Sequence, residues 1–194
     1  MNLIPSFQVD HTKIVPGIYE SRVDEIGGEF ATTYDIRMKF PNAEPAIHPN
    51  AMHTIEHVVA TFLRNDAEWK DRIVYWGPMG CLTGCYLIVK GRPKPQELQP
   101  LLLRAFAYLR GYKGEVPGAT PQNCGNYLLH DLPMARWEAA RAEPKKTTGN
   151  QPFRKSSTKQ MRPGTAPSTR VTLVAPMLWL PNLRMSMPFA RPMR

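Results

Sequence analysis

Apolar residues at Met52, Ile55, Val59, Phe62 and Leu63 recur at the three- and four-residue spacing of a helix with one face on a core. Pro49-Asn50 supplies a start, with Asn50 as the expected N-cap. A second stripe of this kind runs through Leu98, Leu101, Leu102, Ala105, Phe106 and Leu109, predicting a helix over 96–110 closed by Gly111. Pro100 falls early in it, where it can mark the first turn. A third helix is expected from about Pro133, capped by Asp131 and stopping before Pro144.

Between residues 29 and 40 the period falls to two. Phe30, Thr32, Tyr34, Ile36, Met38 and Phe40 alternate with Asp35, Arg37 and Lys39, and Pro41 ends the run. That is the pattern of a half-buried strand, and alternation alone assigns Arg37 to the solvated side. Residues 6–12 and 81–90 read as further strands. Strands followed by helices without regular alternation predict an α+β fold, an antiparallel sheet packed against helices.

Charge divides the chain. Residues 145–194 hold ten Lys or Arg and no Asp or Glu, whereas residues 1–144 hold fifteen against sixteen. The net +9 therefore belongs to the last fifty residues and says nothing about partners of the domain before them. We expect a catalytic domain over 1–144 and a basic Pro/Ser/Thr-rich tail over 145–194. The apolar run at 171–180 is interrupted by Pro176 and is too short to span a bilayer. Disorder, contact with anionic surfaces and a shifted reading frame all account for such a tail. A disordered tail without a role in catalysis is the expectation, with no membrane and no nucleic-acid partner. No secretory pattern opens the sequence, so a cytoplasmic setting and free thiols are expected for Cys81, Cys85 and Cys124.

The first helix also carries His53, Glu56 and His57, an H-x-x-E-H cluster. Residues i and i+4 share one helix face, so two imidazoles can grip one metal ion while Glu56 flanks them as an acid/base. A catalytic site of this kind needs a third protein ligand and an open position. No C-x-x-C pair is present, which excludes a zinc ribbon. Cys81 lies in the glycine-flanked segment 76–84, Cys124 in a loop ahead of the last helix, and Cys85 reads as core. Periodicity does not decide which of Cys81 and Cys124 is the ligand.

Five motifs in order resemble the S-ribosylhomocysteine lyases, the LuxS family. They are Ser6-Phe-Gln-Val-Asp-His11, Tyr34-Asp-Ile-Arg-Met38, His53-Thr-Ile-Glu-His57, Gly77-Pro-Met-Gly-Cys-Leu-Thr-Gly84 and Cys124-Gly-Asn-Tyr-Leu-Leu-His-Asp-Leu132. The resemblance implies metal ligands at His53, His57 and Cys124, a catalytic thiol at Cys81 and a second acid/base at Glu56. It places Ser6, His11 and Arg37 in the substrate pocket. It implies one divalent ion per subunit, Fe2+, with Zn2+ or Co2+ as replacements. It also implies a metallohydrolase-like layout and a homodimer with active sites at the subunit interface. The implied reaction cleaves S-ribosylhomocysteine to homocysteine and 4,5-dihydroxy-2,3-pentanedione, a quorum-sensing autoinducer precursor. Tyr75 departs from an aspartate found in some members, and Cys85 from a common aromatic.

Two other classes compete. A metallopeptidase shares H-x-x-E-H but uses a distant glutamate as third ligand, and Glu115, Glu138 and Glu143 have no supporting motif. A nucleic-acid-binding role for the tail lacks interleaved aromatics and any recognised binding fold.

Overall fold

The computed structural model describes residues 9–142. Ser6, the tail 145–194 and the proposed boundary between domain and tail lie outside them. Four strands form one antiparallel sheet in the order β1-β2-β4-β3: β1 Gly17–Ile26, β2 Glu29–Arg37, β3 Ile73–Pro78 and β4 Gly84–Lys90. Three helices complete it: α1 Pro49–Asn65, α2 Pro95–Gly111 and α3 Leu132–Ala142. The class is α+β, as expected.

β1 and β2 make a hairpin through Gly27 and Gly28, with φ of 60° and 84°. Two central residues with positive φ are what a two-residue hairpin turn needs to follow the twist of its strands. Neither β1 nor β3 was apparent from alternation. The expected strand at 6–12 is also not found over its described part, where residues 11–13 form a turn.

Tyr34 and Ile36 of β2 and Cys85, Leu87 and Val89 of β4 point to one face of the sheet. There they join Met52, Ile55, Val59 and Leu63 of α1 and all six predicted apolar residues of α2 in one core. Each valine, leucine, isoleucine, phenylalanine or methionine side chain removed from water there contributes about 1.5–3 kcal/mol. Phe62 is only partly buried against this core.

The helix ends correct three details. His48, not Asn50, caps α1, its Nδ1 accepting from the Asn50 N–H at 3.4 Å. α2 begins at Pro95, where Glu97 accepts from the Lys94 N–H, so Pro100 lies inside the helix. Gly111 is the last helical residue, and an extended Tyr112 stops the helix. Asp131 caps α3 as expected, accepting from the Met134 N–H at 2.9 Å.

Arg37 departs from the alternation reading. It is 4 % exposed, and Asp35 and Lys39 on the same face are buried too. Its cross-strand neighbours are Gly17 and Gly84. Lys39, just past the strand, pairs with the buried Glu138 of α3 at 2.7 Å.

A side chain at position 84 would run into the Ile36 carbonyl oxygen and crowd the Arg37 Cα. Gly84→Ala is expected to destabilise the domain by about 1–3 kcal/mol through overpacking. Denaturant unfolding checks this, and an unchanged midpoint would show that β2 and β4 separate freely there.

Candidate metal centre and thiol network

α1 presents His53 and His57 one turn apart, beside its buried stripe, and both are half-buried. A segment without helix or strand, running from Tyr112 to Asp131, folds back over that turn. It supplies backbone carbonyls to both rings. His53 Nδ1 lies 2.8 Å from the Leu129 oxygen and His57 Nδ1 lies 2.7 Å from the Pro117 oxygen. A carbonyl can only accept, so each Nδ1 carries the hydrogen and each Nε2 presents a lone pair. Gly118, at φ +71°, follows Pro117 in a conformation open to few other residues.

The same segment brings in Cys124, whose Sγ is 3.4 Å from His53 Nε2 and accepts from the Asn126 N–H. Tetrahedral ligation at ordinary bond lengths separates a nitrogen and a sulfur ligand by about 3.6 Å. The His53 and His57 rings stand at 89° to each other, so one ion can lie in both ring planes. Two imidazoles with tautomers fixed by outer carbonyls, plus a thiol, form a donor set suited to zinc, cobalt or ferrous iron. The three sequence-expected ligands are thus brought together.

Sequence reasoning missed a fourth member. His130 offers a ligand atom within 4.8 Å of those of His53, His57 and Cys124. Its ring stacks on His53, with centroids 4.3 Å apart. Burial, followed by the neighbouring His53 and His57, lowers its pKa to about 4. The signal lay in the motif at 124–132, which contains this histidine six residues after Cys124.

A second polar cluster lies at the edge of the sheet. Arg37 forms a buried ion pair with Asp35 and donates to Thr83 Oγ1 at 2.5 Å. Its Nη1 is also 3.7 Å from Cys81 Sγ, which is 3.1 Å from Thr83 Oγ1. Burial alone would raise the Cys81 thiol; hydrogen bonds from Thr83 and the charge of Arg37 outweigh it, and the pKa falls below its ordinary value. Cys81 is exposed, while Cys85 is fully buried, its thiol pushed far up by desolvation. Cys85 is a core residue, as its position implied.

His11 sits in a turn with Nδ1 2.8 Å from the Val9 oxygen, and its charge acts on Asp35. Glu56 is half-buried on α1 and acts electrostatically on Tyr75 and Cys85. Among the described residues no hydrogen bond or ion pair joins Cys81 or Glu56 to the imidazole cluster.

The model of the family described as S-Ribosylhomocysteinase (LuxS) matches residues 4–152. The chain is 59% identical over 141 residues to an S-ribosylhomocysteine lyase of Phocaeicola vulgatus, covering 73% of this chain and 88% of the relative. It is 55% identical over 139 residues to one of Porphyromonas gingivalis, covering 72% and 87%. A Clostridium beijerinckii lyase is 47% identical over 139 residues, with the same coverage of 72% and 87%. With its imidazole and thiol groups gathered as described, and with relatives this similar along most of their own length, the chain belongs to the S-ribosylhomocysteinase (LuxS) family.

Proposed function

We propose that this protein is a metal-dependent carbon–sulfur lyase that cleaves S-ribosylhomocysteine to homocysteine and 4,5-dihydroxy-2,3-pentanedione. The observation that carries the reading is the convergence of His53, His57 and Cys124, with both Nδ1 hydrogens tied to backbone carbonyls. Relatives 59% and 55% identical to this chain are S-ribosylhomocysteine lyases, in agreement with it. Among the described residues the metallopeptidase reading finds no support in a glutamate ligand, since the cluster is made of histidine and cysteine.

His53, His57 and Cys124 would hold one divalent ion, Fe2+ in the native state and Zn2+ or Co2+ as substitutes. When bound, such an ion supplies Lewis-acid polarisation of sugar oxygens. The thioether leaves only after the carbonyl has moved along the sugar until the C–S bond is β to it. That migration requires protons to be taken from carbon and returned to its neighbour. Cys81, its pKa lowered by hydrogen bonds from Thr83 and by the charge of Arg37, serves as that base. Glu56 moves protons on the oxygens. Arg37 and His11, with Ser6, orient polar groups of the substrate. Elimination then divides the substrate's atoms between the two products with no added water.

The unit is a cytoplasmic homodimer of metallohydrolase-like layout, with the substrate site at the subunit interface. No helix among the described residues is long and apolar enough to cross a membrane. The first 144 residues form the catalytic domain, and the product feeds autoinducer synthesis.

Anaerobic incubation of freshly purified protein with S-ribosylhomocysteine should release homocysteine, detected as free thiol. No release from metal-loaded protein would sink the reading. Cys81→Ala should abolish turnover with one metal per chain retained, and Glu56→Gln should keep its metal and lose most activity. Metal analysis beside each assay checks the roles, and metal loss from Cys81→Ala would make Cys81 a ligand.

Alkylation of Cys81, followed by peptide mass spectrometry, should titrate with a midpoint below the ordinary thiol value of 9.0, since the thiolate is the reactive form. Thr83→Val should move that midpoint upward and slow alkylation at neutral pH. An unmoved profile would remove Thr83 from thiolate stabilisation.

A chain ending near Glu143 should fold, dimerise and turn over substrate at a similar rate, because the matched motifs all precede it. Loss of the dimer on truncation, seen by light scattering, would place part of 145–194 in the folded unit.

A further inference from the structure

Leu82 has a backbone conformation that leucine seldom takes. Its φ is 56°, in the left-handed region where a Cβ crowds the following carbonyl oxygen. Among the described residues the other non-glycine with positive φ is Asn42, an exposed asparagine, and asparagine enters that region readily. Leu82 lies between Cys81 and Thr83 in the loop that joins β3 to β4. Strain of this kind persists only where the surroundings over-determine it.

The surroundings of Leu82 fix both of its peptide groups. Its N–H donates to the Met79 carbonyl and its carbonyl accepts from the Ile47 N–H, each at 2.9 Å. The Thr83 carbonyl accepts from the N–H groups of Met38 and Lys39, each at 3.0 Å, and the Met79 N–H closes the loop onto the Gly84 oxygen at 3.0 Å. The leucine side chain is half-buried against the main core, while Cys81 before it is exposed and Thr83 after it is buried. An extended chain would set residues 81 and 83 roughly 6.6 Å apart along a strand. With a left-handed residue between them the chain turns. Cys81 Sγ then lies 3.1 Å from Thr83 Oγ1, which accepts from Arg37 Nη1 at 2.5 Å.

We propose that Leu82 is a positioning residue whose left-handed backbone, pinned by its core-packed side chain and by Met79 and Ile47, seats the Cys81 thiol against Thr83 and Arg37. It acts through Cys81 rather than on the substrate. The use of that thiol as a base rests on the lyase reading given above; its placement does not. The side chain supplies an anchor and the backbone supplies the turn, so substitution can separate the two. Valine keeps an apolar side chain, but its β-branch resists the left-handed region. Asparagine gives up the apolar contact and enters that region at little cost. Alanine gives up the contact without that tolerance.

The test follows alkylation of Cys81 against pH in the full-length protein, with each variant's denaturant midpoint measured beside it. The charge of Arg37 on β2 and the phenol of Tyr86 on β4 also act on this thiol, and none of the variants alters them. In Leu82→Val the alkylation midpoint should rise by about 0.5–1 unit, with roughly three- to tenfold less thiolate at neutral pH, and turnover of S-ribosylhomocysteine should fall with it. Leu82→Asn should unfold at lower denaturant, because the apolar contact is lost, yet keep its alkylation midpoint near that of the parent. Should the valine variant not fold, Leu82→Ala against Leu82→Asn makes the same comparison: both lose the anchor, and the alkylation midpoint should rise in the alanine variant alone. An unmoved alkylation midpoint in Leu82→Val, or in Leu82→Ala where that pair is used, would overturn the inference. Midpoints that track the loss of stability alike in every variant, the mark of a merely structural residue, would also overturn it. Failure of the parent protein to release homocysteine would instead overturn the lyase reading, and the alkylation profiles would still decide the placement of the thiol.

Discussion

Two imidazole N–H groups donating to two backbone carbonyls hold the metal centre in register. His53 and His57 are fixed in place by helical spacing, but helical spacing leaves their rings free to choose a tautomer and to turn about the side-chain bonds. The carbonyls of Leu129 and Pro117 remove both freedoms, because each accepts a hydrogen only from Nδ1. Both Nε2 lone pairs are then available before any ion arrives. Packing of α1 against the sheet and against α2 and α3 keeps the donors and carbonyls at that separation.

The thiol network follows a different logic. Its anchor is a buried charge pair, Arg37 with Asp35, on the sheet face away from the main core. Burial raises the pKa of Asp35, and the guanidinium opposes that shift. A pair of this kind adds little net stability after desolvation, but it keeps a cation beside Cys81 in one orientation. At position 84 glycine is required by the close approach of the β2 backbone, the Ile36 carbonyl and the Arg37 Cα.

Much of this was legible in the chain. The stripes of α1 and α2 were complete enough to yield their cores, and the five motifs located both clusters. Three things were hidden. β1 carries too many charged residues to alternate: Glu20, Arg22 and Glu25 face solvent, and Asp24 is half-buried. β3 is six residues long and interrupted by a register shift, too short for a period to show. Arg37 was misplaced because alternation presumes that one sheet face meets water, and here Asp35, Arg37 and Lys39 are all covered. His130 stood in a matched motif, but its proximity to the other histidines depends on how an irregular segment folds back, which no periodicity encodes.

That segment, from Tyr112 to Asp131, has neither helix nor strand, yet it touches α1 at both histidines, at Thr54 and through Cys124. Those contacts act as cross-links closing a loop on the helix, and the entropy of closure rises only slowly with loop length. A bound ion shared by His53, His57 and Cys124 would tighten the same closure with ligand bonds. Occupancy and order of the segment are then one equilibrium. Any condition that strips such an ion also relaxes the protein around it, so chemical lability and susceptibility to degradation rise together.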